Sequence, residues 1–506
     1  MDIKRIYSEL LDVQLSVDAL RERVDELGIY SNSIQEKNGS ILFLVRSDNG
    51  KRLVVLKEGP VFDSFEGEEL IKGGVKICPL NEANSKVLRT LFPYTAPSSH
   101  SEHPITIGLG DRLGLASVGH IRLVKDYPVF PILAQQSIRE LNLTDRTYND
   151  VLNSASWAVF QEGYTKGFGA DGDHLKTPEE VDMALDKGYT MLTLDCSEHI
   201  DNDIPDDSPS DIRSKYNALS REIRERLEEK YLGKTFDITD DYSISFSLDD
   251  LMKVVLVYID AIDFTIEIYN RHIKSLKRPI DFEMSIDETL TSTSPEAHYF
   301  VAKELIDGGV EITSLAPRFC GEFQKGIDYI GDIDQFTNEF TAHFAIAEHF
   351  DYKISVHSGS DKFSIFPIIG DVTQGRYHLK TAGTNWLEAM KVVAINEPDL
   401  YREIHEFALE NLNEAKAYYQ IGADTDNIPS LDTLSDEELP ALFDNPDSRQ
   451  VIHITYGLIL QAKDEDGSYV FRDRLYGIWN RYEDDYADLL IEHIGKHLES
   501  LQIDKS

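Results

Sequence analysis

The chain has 506 residues, of which 41% are hydrophobic and 10% aromatic, so it can bury a core large enough for about two to four domains or for one barrel with appendages. Its formal net charge of −40 argues against nucleic-acid binding, because a polyanion would be repelled and no basic tract compensates. The three cysteines lie far apart, which excludes a disulfide framework. No apolar stretch is long enough to cross a bilayer, and the charged N-terminus does not have the pattern of a secretion signal, so we expect a cytoplasmic protein.

The first 100 residues have the pattern of a small α+β appendage. Residues 1–27 carry apolar side chains at roughly helical spacing, which predicts a helix. Two apolar runs follow on either side of Asp48, Asn49 and Gly50, and this arrangement predicts a β-hairpin. Residues 96–104 contain several prolines and serines, which are typical of a loop that leaves the appendage.

Between residues 101 and 395, strand-like runs alternate with amphipathic helical patterns. Several helical patterns begin with Thr or Ser followed by Pro and Glu, which suit an N-cap and a first turn. Eight such β-then-α units predict a (β/α)8 TIM barrel. An open, doubly wound sheet is the alternative, but no dinucleotide fingerprint opens the series. The strand candidates are residues 105–111, 130–136, 167–175, 190–196, 280–287, 311–319, 352–358 and 376–382.

Two further segments stand apart from this alternation. Residues 201–245 interrupt it after the fourth strand, and we expect an insertion on the face where barrel active sites lie, either a lid or surface decoration. Residues 396–506 predict helices with an acidic loop. The expected organisation is an appendage (1–100), a catalytic barrel (101–395) with the insertion (201–245), and a C-terminal helical extension (396–506).

Ionisable and polar residues cluster where the predicted strands end. Functional residues of TIM barrels lie at the carboxyl ends of the strands, whereas polar residues at the opposite face serve stability. The residues at or just after the ends of strands three to eight are Asp171, Asp173, His174, Lys176, Asp195, Glu198, His199, Glu283, Asp287, Glu288, Arg318, Glu322, Gln324, Lys325, His357, Lys362, His378 and Lys380.

Side-chain alternation places some of these residues inside the barrel. Glu283 and Asp287 of the fifth strand face inward, as do Lys353 and His357 of the seventh. Glu283 suits either a catalytic carboxylate or a buried ion pair with an inward lysine, Lys353 or Lys380.

Two histidines, His174 and His357, fall at the mouth ends of their strands, close to carboxylates and amides. Imidazole is a ligand for Zn, Mn, Co, Ni or Fe, so the pair predicts a divalent-metal site, against the alternative of two hydrogen-bonded core histidines. His378 is a further candidate, either as a third ligand or as a substrate contact.

The motif GLGDRLG (108–114) resembles a nicotinamide-binding loop, but its third glycine comes one position late. No acidic residue ends the second strand, which ends in Gln135 and Gln136, so no nicotinamide cofactor is expected. Asp111 and Arg112 are instead predicted to contact substrate at the barrel mouth. No P-loop, HExxH or GxSxG motif occurs, so kinase, zincin and serine-hydrolase chemistry lacks support.

Six motifs in order resemble the tagaturonate/fructuronate epimerase family over about residues 105–460. They are GLGDRLGLASVGHI, GFGADGDHLKTPEEV, SIDETLTSTSPEAHYF, LAPRFCGEFQKGIDYIGD, SVHSGSDKFSIFP and HLKTAGTNWLEAM, and RQVIHITYG adds a late seventh. The resemblance implies a metal-dependent epimerase that interconverts D-tagaturonate and D-fructuronate in hexuronate catabolism. Some members of this family also act on the neutral ketoses tagatose and fructose.

The resemblance also implies roles for individual residues. Asp173 matches the general base of the family, and Glu283 matches the general acid. The metal ligands that it implies are His174, His357 and Gln324, with Glu322 as the alternative to Gln324.

The chemistry of this reaction restricts the mechanism. The two uronates differ at a hydroxyl-bearing carbon β to the ketone, so its hydrogen is not acidic and simple deprotonation cannot invert it. Transient oxidation needs a hydride acceptor, for which the sequence has no site. A retro-aldol route needs a base, an acid and a Lewis acid that holds the enediolate, and we favour it. The substrate carboxylate also needs a cation; Arg112, Arg318, Lys362 and Lys380 are candidates, unless they pair with acids at the mouth.

The sequence therefore predicts a hexuronate epimerase that depends on a divalent metal ion, with the metal unspecified. Its expected partner is a small hexuronate or ketohexose, with no nucleic acid and no membrane, and a homo-oligomer is left open. The alternatives are a metal-dependent aldolase of keto sugars that releases three-carbon fragments, and a non-catalytic sugar-binding barrel. The paired histidines and six polar strand ends disfavour the non-catalytic alternative.

Overall fold

The computed structural model describes residues 16–47, 50–71, 74–419 and 421–506. The N-terminal part of the chain forms a five-stranded antiparallel sheet. The predicted hairpin is present, although Asp48 and Asn49 of its turn lie outside the described residues. The predicted N-terminal helix appears as Val17–Arg21 and Val24–Leu27, and its residues 1–15 lie outside the described ranges. The strands, in the spatial order β1-β2-β3-β5-β4, are β1 (Gln35–Lys37), β2 (Ser40–Ser47), β3 (Gly50–Leu56), β4 (Glu68–Ile71) and β5 (Val75–Cys78).

Both faces of this sheet are covered at its centre, which explains the unbroken apolar runs in β2 and in the second half of β3. Ile41 and Phe43 pack on one face with Leu20. Leu42 packs on the other face against a cluster that includes Phe160 of a barrel helix. Because successive side chains point to opposite faces, a strand buried on both sides has no polar alternation.

Eight parallel strands then close into a barrel, which confirms the predicted TIM fold. The first four are β6 (Ile105–Leu109), β7 (Phe130–Ser137), β8 (Gly169–Leu175) and β9 (Met191–Asp195). A hairpin of β10 (Thr235–Asp237) and β11 (Ser243–Ser245) lies in the insertion. The last four are β12 (Asp281–Ile286), β13 (Ser314–Pro317), β14 (Lys353–Val356) and β15 (Tyr377–Thr381), and β15 pairs with β6 to close the ring. Each predicted strand segment overlaps one barrel strand.

The helices of the described residues surround the barrel and continue beyond it. Thr177 shows how they begin: its hydroxyl accepts a hydrogen bond from the backbone of Glu180, whose carboxylate accepts one in return, and Pro178 occupies the first turn. The α-helices after the first two are Pro60–Ser64, Glu82–Leu91, Ser117–Val124, Ile138–Thr144, Tyr148–Glu162, Pro178–Asp186, Pro209–Ala218, Arg221–Tyr231, Leu248–Ile268, Pro295–Asp307, Ile333–His349, Phe366–Thr373, Gly383–Asn396, Pro398–Glu410, Leu412–Ala415, Pro446–Ile454, Tyr456–Gln461, Arg472–Arg481 and Glu483–Ser500.

The insertion 201–245 packs on the outside of the barrel. Ile212 and Leu227 are buried in the main core, and the hydroxyl of Tyr231 donates a hydrogen bond of 2.7 Å to Glu304 on the helix Pro295–Asp307. Among the described residues, none from 201–245 lines the cleft at the barrel mouth. The insertion therefore decorates the outer helices in this conformation and does not cover the mouth.

The C-terminal helices have a second apolar core of their own, which lies beside the barrel. The last helix, Glu483–Ser500, joins the two cores, because Tyr486 and Leu490 pack in the second core while Ile494 and Leu498 pack in the first. None of the helices in the described ranges has the combination of length and apolar character that a bilayer crossing requires.

Candidate active site

A cleft opens at the carboxyl end of the barrel, where β8, β12, β14 and β15 end. It has a deep part of about 60 Å³ and an outer part of about 300 Å³, and the two share part of their lining. Several predicted site residues meet in the deep part, so the barrel brings together residues that are more than 200 positions apart in sequence. Those residues are Arg112, Asp173, His174, Gln324, His357 and Lys380.

The backbone is unusual at two of the strand ends that form the cleft. His174 has φ +52°, and Ser358 has φ +50°, both in the left-handed region that non-glycine residues rarely occupy. The pairing of β8 with β9 also shifts register between Gly172 and Leu175. Such positions cost about 1–3 kcal/mol each and concentrate at functional sites. In β8 the register shift and the positive φ both fall at His174, close to the end of the strand.

A single buried lysine joins three carboxylates at the base of the cleft. The Nζ atom of Lys380 lies 2.7 Å from Asp173, 2.9 Å from Glu283 and 3.0 Å from Asp171. All of these side chains are buried. Lys380 also donates a hydrogen bond to Thr193. The two predicted catalytic carboxylates, Asp173 and Glu283, are therefore connected through one ammonium group.

This arrangement determines the charge state of the group. Burial alone would lower the pKa of Lys380, but the three carboxylates raise it well above its usual range. Burial would raise the pKa of Asp173 and of Glu283, yet Lys380 and the neighbouring histidines hold both well below their usual values. Burial raises the pKa of Asp171 to about 6, with Lys380 opposing. Asp173 and Glu283 are thus carboxylates at neutral pH.

The two predicted metal-ligating histidines lie side by side, with ring centroids 5.1 Å apart. His174 Nδ1 is 3.3 Å from Asp195, and His357 Nε2 is 2.7 Å from Glu283. Asp287 completes the group: one atom each of His174, His357 and Asp287 can lie within 4.8 Å of one another.

This group fits a divalent metal ion. Each histidine has one nitrogen next to a buried carboxylate, whereas the second nitrogen lies 3.9 Å from Asp173 in His174 and 3.2 Å from Asp287 in His357. Protein metal sites use this arrangement, because the outer carboxylate fixes the ring and its tautomer. Imidazole nitrogens with one carboxylate oxygen suit Zn, Mn, Co, Ni or Fe.

Gln324, the third ligand implied by the family resemblance, has its side-chain oxygen in use. That oxygen accepts hydrogen bonds of 2.8 Å from the backbone of Gly422 and 2.9 Å from Gln450. Glu322, its alternative, is exposed and lines only the outer part of the cleft. Asp287 was not assigned a role from the sequence, although it follows β12 directly, where a strand-end carboxylate is expected.

Most of the predicted substrate-binding residues have other partners. The carboxylate of Asp111 accepts hydrogen bonds from the backbone N–H groups of the following turn, including 2.8 Å to Gly114 and 2.8 Å to Ala116. Lys362 donates to three backbone carbonyls, and burial lowers its pKa to about 8. His378 lies deeper in the barrel, where its Nδ1 is 2.8 Å from Thr106.

Arg318 and Arg112 line different parts of the cleft. Arg318 faces the outer part only and makes no ion pair with a described residue. Arg112 is 2% exposed and lies in the deep part, with Nε and Nη2 3.1 and 2.8 Å from Glu140. Two residues with no role predicted from the sequence also line the deep part: Arg139, just after the end of β7, and His453, from the C-terminal extension.

A second histidine–carboxylate group, formed by Asp361, His493 and His497, fastens the last helix to the loop after β14. His493 Nε2 is 2.5 Å from Asp361, and Arg449 is 2.7 Å from the same carboxylate. His497 Nε2 already accepts a hydrogen bond from the backbone of Asp361. Because a cation is in place and the acceptor is used, this group is an ion-pair network and does not offer a metal site.

The fold and the cleft together define an enzyme class. The ionised carboxylates Asp173 and Glu283 lie beside a histidine–carboxylate group of the kind that holds a metal ion, at the end of a TIM barrel where active sites form. This arrangement is typical of a barrel enzyme that acts on a small polar substrate.

Comparisons with known proteins identify the family. A family model described as tagaturonate epimerase matches residues 30–501. A tagaturonate/fructuronate epimerase from Thermotoga maritima is 41% identical over 477 residues, which are 94% of this chain and 97% of that protein. Two crystal structures of fructuronate-tagaturonate epimerase from Cohnella laeviribosi, one native and one with a single glycerol, each match with a TM-score of 0.93 at 50% identity, covering 96% of this chain and 99% of that chain. The chain belongs to the tagaturonate epimerase family, and it is an isomerase.

Proposed function

We propose that the chain interconverts D-tagaturonate and D-fructuronate with a divalent metal ion, by a retro-aldol route. Family membership and relatives of that name at 41% and 50% identity support the substrate. The observation that carries the proposal is one cleft in which His174, His357 and Asp287 lie beside the ion pair of Asp173 and Lys380.

His174, His357 and Asp287 are our candidates for holding the metal ion. When bound, the ion supplies Lewis acidity that stabilises negative charge on substrate oxygens. Asp287 is favoured over Gln324 because the amide oxygen of Gln324 would first have to leave Gly422 and Gln450.

Asp173 is the base in this proposal, because it is ionised and lines the cleft. It takes the proton from the hydroxyl group on the carbon β to the ketone. The bond between this β carbon and the α carbon, which is next to the ketone, then breaks. The electron pair moves into the ketone to give an enediolate, and the alcohol carbon becomes an aldehyde. The aldehyde turns over, the carbon–carbon bond re-forms on its other face, and Asp173 returns the proton. No atom or electron is gained or lost.

The family resemblance implies that Glu283 is the general acid, but its contacts favour another role. It accepts hydrogen bonds from His357, Ser314 and Thr193, pairs with Lys380, and is not among the cleft-lining residues. We therefore propose Glu283 as a positioning residue that orients the His357 ring and the Lys380 ammonium group. Tagatose and fructose have a hydroxymethyl group in place of the carboxylate, so the same steps could invert them and they belong in the same assay.

The experiment is turnover of D-fructuronate by EDTA-treated protein, with and without Mn²⁺ or Zn²⁺, with the products separated by chromatography. We expect added metal to restore D-tagaturonate formation. We also expect His174→Ala and His357→Ala to lose both this activity and the bound metal measured by mass spectrometry. His349→Ala, at an exposed histidine on the helix Ile333–His349, is the matched control.

Three outcomes would contradict parts of the proposal. A folded protein that converts no uronate with any metal would contradict the epimerase assignment. Release of three-carbon fragments would indicate an aldolase. Deuterium from solvent at the inverted carbon would contradict the retro-aldol route, because that carbon never loses its hydrogen in the mechanism.

A further inference from the structure

Three cations converge on one wall of the deep cleft: Arg112, Arg139 and Lys325. Arg112 stacks on Tyr456, 4.0 Å from the ring centroid, and Arg139 lies over Tyr419 at 5.1 Å. Both tyrosines belong to the C-terminal extension, which therefore holds two guanidinium planes against the mouth of the barrel. In a chain of net charge −40, three cations on one small surface are a marked local excess.

The carboxylates nearby do not satisfy this group. Glu140 binds Arg112 through Nε and Nη2, but Nη1 of Arg112 is buried and has no hydrogen-bond partner among the described residues. Arg139 Nε is likewise buried without a partner, and the closest carboxylate of Arg139, Glu288, is 3.8 Å away, beyond hydrogen-bond distance. Among the described residues, the one hydrogen-bond partner of Lys325 Nζ is the hydroxyl of Ser358, at 2.8 Å.

Arg112, Arg139 and Lys325 therefore repel one another, and this repulsion is energetically unfavourable. Burial lowers the pKa of Lys325, and the proximity of Arg139 and Arg112 lowers it further. Arg112 is buried, whereas Arg139 and Lys325 are partly exposed. Buried donors without partners are unfavourable, and a bound anion would accept hydrogen bonds from Arg112 Nη1 and Arg139 Nε.

His453 adds a neutral partner to the same wall. Its side chain is 2% exposed, and both ring nitrogens lack hydrogen-bond partners within the described ranges. Burial holds its pKa well below the usual value, with Arg112 and Lys325 acting in the same direction. The backbone makes room for the ring, because a Cβ atom at Gly383 would lie 2.1 Å from it. A neutral imidazole offers one donor and one acceptor to a ligand.

We propose that Arg139, Lys325 and the free Nη1 of Arg112 form the subsite for the substrate carboxylate, with His453 binding an adjacent hydroxyl. This inference rests on the proposed function. It assigns a binding site to the carboxylate end of the substrate, which does not react. Glu288 follows Asp287 directly and is 3.8 Å from Arg139, so the cation wall begins beside the candidate metal ligands. We expect one hexuronate to place its ketone end at the histidines and its carboxylate at the cations.

The other predicted carboxylate partners are less suitable. The protons of Lys362 are all donated to backbone carbonyls, Lys380 is surrounded by carboxylates, and Arg318 lines only the outer part of the cleft. The consequence is selectivity for uronates, because a hydroxymethyl group at this position would leave the cations uncompensated.

The test compares glycerate with glycerol, a matched acidic and neutral pair with three carbons each. Calorimetry measures their binding, and inhibition of D-fructuronate turnover measures the same affinities in the assay. We expect the wild type to prefer glycerate. Arg139→Met and Lys325→Met should each weaken glycerate binding and raise KM for D-fructuronate by about 10- to 100-fold, the value of a charge-assisted hydrogen bond. Glycerol binding should not change.

Control variants separate this subsite from general electrostatics. Arg221→Met and Lys86→Met remove exposed cations far from the cleft and should leave the preference for glycerate unchanged. Lys325→Arg keeps the charge and should keep most of the preference.

The inference is overturned if the wild type does not prefer glycerate, a result that needs no variant to fold. Unchanged KM and glycerate affinity in both folded methionine variants would also overturn it. Because glycerate binding does not require turnover, a failure of the epimerase assignment would be seen separately, as absent conversion of D-fructuronate.

Discussion

At the scale of single residues, the charge balance of the cleft depends on Lys380. Its ammonium group is the cation shared by Asp171, Asp173 and Glu283. The proximity of Asp173, His174 and His357 was predictable, because strand ends of a closed barrel converge. Their chemical roles remain predictions.

We expect Asp173→Asn to lower kcat by about 10²- to 10⁴-fold with little change in KM, because it removes the proposed base and keeps its shape. Steady-state kinetics on D-fructuronate measures this. Asp171→Asn is the matched control. Asp171 lies on the same strand as Asp173 and also pairs with Lys380, but it does not line the cleft. Equal losses in the two variants would show that Asp173 does not act on substrate.

Lys380→Met should destabilise the protein by about 3–5 kcal/mol at neutral pH, because it leaves buried carboxylates without their cation. Urea unfolding at several pH values measures the loss. The loss should shrink on acidification, since protonation removes the uncompensated charge. Lys380→Arg keeps a cation and should lose less, and a stable, fully active Lys380→Met protein would refute this role.

Other residue-level features could not be read from the sequence. Asp111 stands at a strand end, yet its carboxylate binds the backbone of its own turn, at Gly114 and Ala116. Local capping and substrate binding use the same kind of residue at the same position, so sequence does not distinguish them. Arg139 follows the end of β7 by two residues, so its place at the mouth was predictable. His453 comes from the C-terminal extension, and only the tertiary packing shows that it reaches the cleft.

At the scale of elements, the barrel strands were the most predictable feature, because alternation of short apolar runs with capped amphipathic helices specifies a (β/α)8 order. The residues at which these strands begin and end were less predictable. The sixth candidate, 311–319, contains only the four-residue strand Ser314–Pro317. A strand extends only where its neighbours pair with it, and β13 pairs with β14 at just two positions, Ser314 and Leu315.

The last helix should make the stability of the protein depend on pH through His493. Burial alone would lower the pKa of His493, but Asp361 and Glu388 raise it to about 9. The protonated histidine therefore stabilises the fold fully below its unfolded pKa, near 6.5, and this contribution is lost as pH rises through about 9. Arg449 and His497 also face Asp361.

We expect His493→Gln to lower the free energy of unfolding by about 2 kcal/mol at pH 6 and by much less at pH 9.5. Urea unfolding of both proteins across this range measures the difference. His349→Gln, at an exposed histidine without an ion pair among the described residues, should show no such trend. A difference that stays constant with pH would contradict the ion-pair account.

At the scale of the whole molecule, the C-terminal extension is part of the enzyme. Its last helix contributes Tyr486 and Leu490 to one core and Ile494 and Leu498 to the other. Burial of four such side chains is worth about 6–12 kcal/mol, at about 1.5–3 kcal/mol each, against a typical total stability of about 5–15 kcal/mol.

A chain that ends at Tyr482 should therefore lose cooperative unfolding, as monitored by circular dichroism during urea titration. A chain that lacks only residues 504–506, which are exposed, should unfold like the full-length protein. A cooperative transition in the shorter chain would show that the barrel is stable without its extension.

The wall of the cleft draws on residues from Arg112 to His453, and this spread matters during synthesis on the ribosome. The chain emerges with Asp173, His174 and His357 long before the tyrosines and the histidine that complete the wall. A chain that ends before Tyr419 thus contains Asp173, His174 and His357 but lacks His453 and the two tyrosines that pack on Arg112 and Arg139. The complete wall therefore forms only after the C-terminal extension has been synthesised.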